Sequence, residues 1–394
     1  MRRILAIAIA FLLVAIIVLG FVLVQILQKA GVGGFGTSTP TTTITAIVPT
    51  TTTVATGMPR VQGAQIVDAK GHTFVLRGAQ IESPFNVINR WQSSERPTTT
   101  LNSATFNAMH DWHMNALRLP LSNWIYAKYT SDYMSQLDQV IQQANAAGLY
   151  VVLDLHDDNK AGSPYGTNAT FPKVEDLDFW KAIATHYKDN PMVMFDVYNE
   201  PKTPPSWNAW LHGVSGTKEI GFQNLIDGIR SVGAKQIIVV EPGSAGGGTN
   251  TAEGGGWSSF NVTINDPDII YSLHVYDGIV FNTQQQDSKW GPILNHHPLY
   301  YGEWAFLPNA FGNSHCQNLP TDPTQANQVV ANFLNYMAAR NASWTAWAFT
   351  PHHLVQDFTS YAPTILNTPW QCGNTKADVG MGEDVKNYLL MGHI

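Results

Sequence analysis

Eight short β-rich runs alternate with helical patterns along most of the chain, and that repeat constrains the fold more than any other feature. The runs occupy residues 76–81, 116–119, 150–155, 192–197, 236–240, 269–274, 298–302 and 343–349. Between them, residues 131–147, 174–187, 216–232 and 324–339 carry apolar side chains near helical spacing, and the pattern is faintest after the first and sixth runs. Continuous apolar strands with helical crossovers require a parallel sheet covered on both faces. Eight such units predict a closed α/β TIM barrel, (β/α)8, rather than an open sheet. Residues 65–68 and 73–76, joined at Lys70-Gly71, predict a small N-terminal hairpin that plugs one end of it.

Two segments precede this repeat. After Met1-Arg2-Arg3, residues 4–28 carry no charge and consist largely of Ile, Leu, Val, Ala and Phe. At about 1.5 Å per helical residue the run spans an apolar layer of about 30 Å, and it exceeds the roughly 7–15 apolar residues of a cleavable signal peptide. A transmembrane signal-anchor is therefore expected, with Arg2 and Arg3 in the cytoplasm and the rest at the outer face of the cell membrane; cleavage would instead secrete the protein. Residues 31–58, rich in Thr, Gly and Pro, cannot bury enough apolar surface to fold and read as a disordered linker. The expected organisation is anchor 1–30, linker 31–58 and one domain over 59–394.

Charge and cysteine usage exclude other classes. The net charge of −7 and the lack of a Lys/Arg run beyond the start argue against nucleic acid as a partner. Cys316 and Cys372 are too few and too far apart for a zinc ribbon; in an exported protein they are expected to form one disulfide, against the alternative of two unpaired buried thiols. The 13 histidines include no His-Glu-x-x-His arrangement, so neither a metal nor another cofactor is expected.

A barrel of this type places its site at the carboxyl ends of the strands. Those ends carry Glu82, Arg118, His156, Asn199 with Glu200, Glu241, His274 with Tyr276, Glu303 and Trp347. Any one of them alone reads as an ordinary cap or a satisfied core group. Their concentration at one end of successive strands points to chemistry. Glu200, in Met194-Phe-Asp-Val-Tyr-Asn-Glu-Pro201, and Glu303, in Leu299-Tyr-Tyr-Gly-Glu-Trp-Ala-Phe306, form a candidate pair of carboxylates sharing one substrate.

The chain resembles the family 5 glycoside hydrolases of clan A, the cellulase-like retaining enzymes, over most of residues 60–390. Ile66-Val-Asp-Ala-Lys-Gly-His-Thr-Phe-Val-Leu-Arg-Gly78 is similar to the family's entry strand, Asn115-Ala-Leu-Arg-Leu-Pro120 to its arginine motif and Val151-Val-Leu-Asp-Leu-His156 to its third-strand histidine. Asn199-Glu-Pro201 resembles the acid/base motif, His274-Val-Tyr276 the sixth-strand pair and Gly302-Glu-Trp304 the nucleophile motif, with Trp347 at the platform position. Ala79-Gln80 stands where many relatives carry Val-Asn.

The resemblance implies a two-glutamate double displacement. It makes Glu200 the acid/base, held protonated by burial and by the charge of Glu303, and Glu303 the ionised nucleophile. Arg118 and Tyr276 then orient Glu303, and Asn199 donates to the sugar 2-hydroxyl. His156 and His274 bind hydroxyls or the carboxylates, Trp347 stacks on a sugar ring and Trp304 lines a neighbouring subsite, as Trp257 could, with buried packing the alternative for both. Carboxyl groups about 5–5.5 Å apart are expected, as retention requires. The implied substrate is a β-linked polysaccharide or oligosaccharide, foremost a β-1,4-glucan. A mannanase, an exo-β-glucosidase, a transglycosylase and a non-catalytic glycan-binding surface protein are the alternatives.

Overall fold

All eight apolar runs form strands, and the strands close on themselves. The computed structural model describes residues 57–81, 101–157, 171–201, 206–242, 256–276, 283–306, 319–367 and 378–392. A hairpin of β1 (Arg60–Gln62) and β2 (Gln65–Val67) precedes the barrel strands β3 (Arg77–Gln80), β4 (Ala116–Ser122), β5 (Tyr150–Asp157) and β6 (Val193–Asp196). The ring continues with β7 (Ile238–Val240), β8 (Ile269–Val275), β9 (Leu299–Trp304) and β10 (Ser343–Ala346). Neighbours pair in parallel in chain order, and β10 pairs with β3 to complete the barrel. Residues 4–28, the linker through residue 56, Glu82, Cys316 and Cys372 lie outside the described residues. Among the described residues no helix is long and apolar enough to cross a membrane.

The helices are α1 (Ser103–Asp111), α2 (Asn123–Ala146), α3 (Val174–Tyr187), α4 (Trp207–His212), α5 (Phe222–Ser231), α6 (Thr283–Trp290), α7 (Pro323–Ala338) and α8 (Gly382–Leu390). Helix α2 extends further toward its N-terminus than the apolar pattern predicts, because it contains a break at Tyr129 (φ −134°, ψ 39°) and the pattern is regular only beyond it. The helix expected over 216–232 begins at Phe222; Gly213 (φ 87°) and Gly216 (φ 81°) take left-handed conformations that separate it from the short α4. Helices α1 and α6 fill the positions after the first and sixth barrel strands.

The hairpin differs in its pairing from the expectation. β2 pairs with β1 across Gly63 (φ 62°), and on its other side it meets the expected partner segment through a Val67–Thr73 bridge and the Phe74 amide donating to Ile66 O at 2.8 Å. The turn between them is an Asp68 turn: its carboxylate accepts the amides of Lys70 and His72. Ile66 from the hairpin packs with Leu76, Ala116, Tyr150, Val152, Met194, Val239, Ile270 and Tyr300 in an apolar plug inside the barrel.

Strand periodicity sorts the rest. Alternate residues face opposite sides, so Leu117, Leu119, Val151, Leu153, Phe195, Val240, Tyr271 and Leu273 face outward into the second, larger core under the helices. Their inward neighbours change character along each strand, from the apolar plug to Arg118, Asp154, Asp196 and His274 near the carboxyl ends. The barrel interior is thus a dry floor with an ionic layer above it.

Gly78, on the first barrel strand, is paired with Ala116 on the second. A Cβ there would lie 1.8 Å from the carbonyl oxygen of Ala116, backbone that no rotamer change can move. Gly78→Ala is expected to destabilise the domain by about 3 kcal/mol, read as a lowered denaturant midpoint.

Candidate active site

A β-bulge aims the second glutamate. Residues Leu273 and Tyr301 are partners across β8 and β9, but the next pair is His274 with Glu303, leaving Gly302 as the extra residue. Strict alternation would turn Glu303 outward beside Tyr301; the bulge returns it to the interior. Gly302 is suited to that crowded place, since a Cβ would lie 2.6 Å from Ser272 Oγ and 3.0 Å from His274 Nε2.

Glu200 is aimed by a different device. Its backbone is left-handed (φ 44°), a conformation that costs a side-chain-bearing residue on the order of 1–3 kcal/mol. Two neighbouring hydrogen bonds hold the turn: the Asn199 amide donates to Leu155 O at 3.0 Å, and the Glu200 amide to Glu241 Oε2 at 2.7 Å. The result brings Glu200 and Glu303 together: one carboxylate oxygen of each and one His274 ring nitrogen lie within 4.8 Å of one another. That is the short range, below the about 6.5–9.5 Å that leaves room for a water between two carboxyl groups.

Arg118 organises the layer. It is fully buried, and its guanidinium donates from Nε to Asp196 (2.9 Å), from Nη1 to Glu303 (2.6 Å) and Gln80 (2.5 Å), and from Nη2 to Asn199 (3.0 Å) and Glu241 (3.1 Å). Asp154 lies 3.1 Å from Nη2. Burial works against the charged guanidinium, yet the surrounding carboxylates outweigh it and hold its pKa well above the ordinary value. Asp196 is shifted upward as well, which for a carboxyl favours the neutral form: burial, with Glu241 and Asp154 nearby, raises it well above the usual carboxylate range despite Arg118. Tyr276 donates its hydroxyl to the second oxygen of Glu303.

Two histidines complete the set. His156 Nδ1 is 2.8 Å from Asp154 Oδ2. Burial lowers its pKa, but the charge and hydrogen bond of Asp154, with Glu303, bring it up to about 9. His274 lies 3.1 Å from Glu200 Oε1 through Nδ1 and 3.0 Å from Glu241 Oε1 through Nε2. Burial disfavours its charge, and the carboxylates nonetheless raise it well above the usual imidazole value.

That charge reverses one expectation. Burial would raise Glu200, but its hydrogen bond to His274 and the positive charges of His274, His156 and Arg118 hold it down at about 2. In the free protein Glu200 is therefore ionised, not held protonated by Glu303, because an imidazolium stands closer to it than the expected anion does. The trio Glu200, His274 and Glu303 offers ligand atoms close enough for a divalent cation. An imidazolium and a guanidinium 2.6 Å from Glu303 already place positive charge there, which opposes a second cation.

The site brings together Arg118, His156, Asn199, Glu200, His274, Tyr276, Glu303 and Trp347, whose ring stacks on His156 at 6.2 Å and meets Tyr276 edge-on at 6.3 Å. Trp304 is the exception. It is fully buried, packs on Phe333 and Trp344 beneath α7 and presents no surface to a sugar, because the bulge that turns Glu303 inward turns its neighbour outward. Trp257 is likewise enclosed, stacked on Trp207. Sequence reasoning gave no role to Gln80, Asp154, Asp196 or Glu241. Asp154 stands two residues before His156 and so faces the same side, and Glu241-Pro242 repeats the strand-end pattern of Glu200-Pro201.

A model of the family described as "Cellulase (glycosyl hydrolase family 5)" matches residues 67–353. The chain is 25% identical to an endoglucanase of Paenibacillus polymyxa over 77% of this chain and 84% of that protein. It is 26% identical to the cellulase/esterase CelE of Acetivibrio thermocellus over 59% of this chain, spanning only 31% of that longer protein. In fold it is similar to the β-glucanase SdGluc5_26A from Saccharophagus degradans, solved with cellotetraose, with a TM-score of 0.61 and 21% identity over 86% of this chain and 94% of that one.

The His156–Asp154 contact makes stability depend on pH. With a folded pKa of about 9 against 6.5 for the free imidazole, the contribution of His156 is complete below about pH 6.5 and is lost as pH rises through 9. Unfolding free energies of the wild type and His156→Gln should differ by about 2–4 kcal/mol more at pH 6 than at pH 10.

Proposed function

The chain belongs to the cellulase family, glycosyl hydrolase family 5, and from that membership we propose a retaining glycosidase that cleaves within β-1,4-linked glucan. The observation that carries the reading is the approach of Glu200 and Glu303 to within 4.8 Å, with the latter held by Arg118 and Tyr276. In this reading Glu303 attacks the anomeric carbon and Glu200 delivers a proton to the departing oxygen. Glu200 then takes a proton from the water that hydrolyses the glycosyl-enzyme. Endoglucanase and β-glucanase relatives support a glucan as substrate.

The proton has a source in the site. It rests on His274, whose Nδ1 is 3.1 Å from Glu200 Oε1. A sugar filling the cleft removes water from this ion pair, and desolvation favours the neutral form of both partners. The proton then moves along the existing hydrogen bond to Glu200. Asn199 spends its carbonyl oxygen on Arg118, leaving its amide to donate to the 2-hydroxyl, and Trp347 supplies an apolar face for the ring. A purely glycan-binding protein has no need for the contacts that Arg118 and Tyr276 make to Glu303.

The same proposal puts the domain outside the cell on a membrane anchor, supported by the charge-free run 4–28 after Arg2-Arg3 and by the Thr-rich stretch that follows it. Retention of the full chain in carbonate-washed membranes is the expected outcome; release into the medium would make it a secreted enzyme.

Reducing-end release should be fastest on cellulose derivatives or mixed-linkage glucan within a panel that includes mannan and xylan. Glu303→Ala should lower kcat by at least about a thousandfold while binding of cello-oligosaccharides survives. A product that first appears with the inverted anomeric configuration in NMR would sink the mechanism.

A further inference from the structure

Glu241 is fully buried at the end of β7 and touches both halves of the site. One oxygen, Oε2, accepts the backbone amide of Glu200 at 2.7 Å. The other, Oε1, lies 3.1 Å from Arg118 Nη2 and 3.0 Å from His274 Nε2. Its own main chain is fixed from outside the barrel, where the buried indole of Trp210 on α4 donates to the Glu241 carbonyl at 3.0 Å.

These contacts answer a specific need. Glu200 sits on a left-handed backbone that an L-residue leaves readily, and its amide at that turn has no partner in the barrel ladder. A carboxylate holding that amide fixes the direction in which the Glu200 side chain leaves the strand. The second oxygen of the same carboxylate holds His274 by ion-pair contact at Nε2, and the other ring nitrogen of His274 faces Glu200. One side chain therefore sets both ends of the His274–Glu200 hydrogen bond.

We propose that Glu241 is the positioning residue for proton delivery: it clamps the Glu200 turn and His274 together so that the proton meets the departing glycosidic oxygen. The proposal rests on the reading of Glu200 as acid/base and Glu303 as nucleophile. In the first step the bond from Glu303 to the anomeric carbon forms, the bond to the leaving oxygen breaks, and that oxygen takes the proton of Glu200. A 2,4-dinitrophenolate leaves without a proton. Loss of Glu241 should therefore slow substrates that need protonation and spare one that does not.

The test compares kcat/KM on cellotetraose and on 2,4-dinitrophenyl β-cellobioside for the full-length wild type, Glu241→Gln, Glu241→Asp and Glu200→Gln. Glu241→Gln keeps the shape but turns an amide toward the donors of Arg118 or His274. It should lose about 10- to 100-fold on cellotetraose and less than about threefold on the aryl glycoside. Glu241→Asp keeps the charge but is too short to reach both partners, and should show the same split. The ratio of the two activities does not depend on the folded fraction, so partly folded preparations still report it. Equal effects on both substrates, including no effect or complete loss, would overturn the proposal. If Glu200→Gln itself shows no split, the acid/base reading fails instead, and the two failures are told apart.

Discussion

One buried guanidinium holds the catalytic end of this barrel together. Arg118 comes from the second barrel strand, yet it reaches side chains on or just beyond the first, third, fourth, fifth and seventh: Gln80, Asp154, Asp196, Asn199, Glu241 and Glu303. Taking so many charged groups out of water costs several kcal/mol per ion, and the layer is tolerable only because the cation is fully surrounded. Arginine is suited to this place because its donors diverge in one plane and its charge cannot be titrated away. A lysine would offer a single point and satisfy fewer of the acceptors. The fold therefore uses the site's chemistry as part of its own closure.

Much of this was legible in the sequence, for identifiable reasons. Continuous apolar strands with helical crossovers allow few architectures, so all eight barrel strands were located, with differences confined to their ends. Strand-end polar residues are visible because they interrupt apolar runs; Arg118, His156, Glu200, His274 and Glu303 all do so. Asp154 and Asp196 are less visible, since each sits inside its run and depends on period-2 alternation to be placed beside Arg118. The hairpin is legible at the Asp68 turn, where Val67 does bridge to Thr73, but the longer pairing through Gly63 is not, because Arg60–Gln62 is too short for apolar alternation to mark it. The ionisation of Glu200 was not legible at all. It depends on a His274 contact of 3.1 Å between residues far apart in the chain, and the closer charge decides the sign.

The tryptophans illustrate how composition can mislead about location. Their abundance suits a protein that grips sugars, but several do structural work outside the barrel. Trp180, Trp210 and Trp257 are fully buried and donate their indole N–H groups to the carbonyls of Val197, Glu241 and Ser272. Two of these carbonyls, those of Val197 and Glu241, lie just past the ends of β6 and β7, where ladder partners run out. A large ring that covers apolar surface and satisfies one acceptor serves that position well. Among the described residues only Trp347, beside His156 and Tyr276, stands with the polar groups of the cleft.

The apolar plug beneath the ionic layer has a consequence for traffic. Leu76, Val152, Met194, Val239, Ile270 and Tyr300 fill the barrel interior beneath the layer, so the layer meets solvent at the carboxyl ends of the strands and not through the floor. Protons entering or leaving the layer must therefore pass by way of the strand ends, where Glu200 and His156 are its partly exposed members.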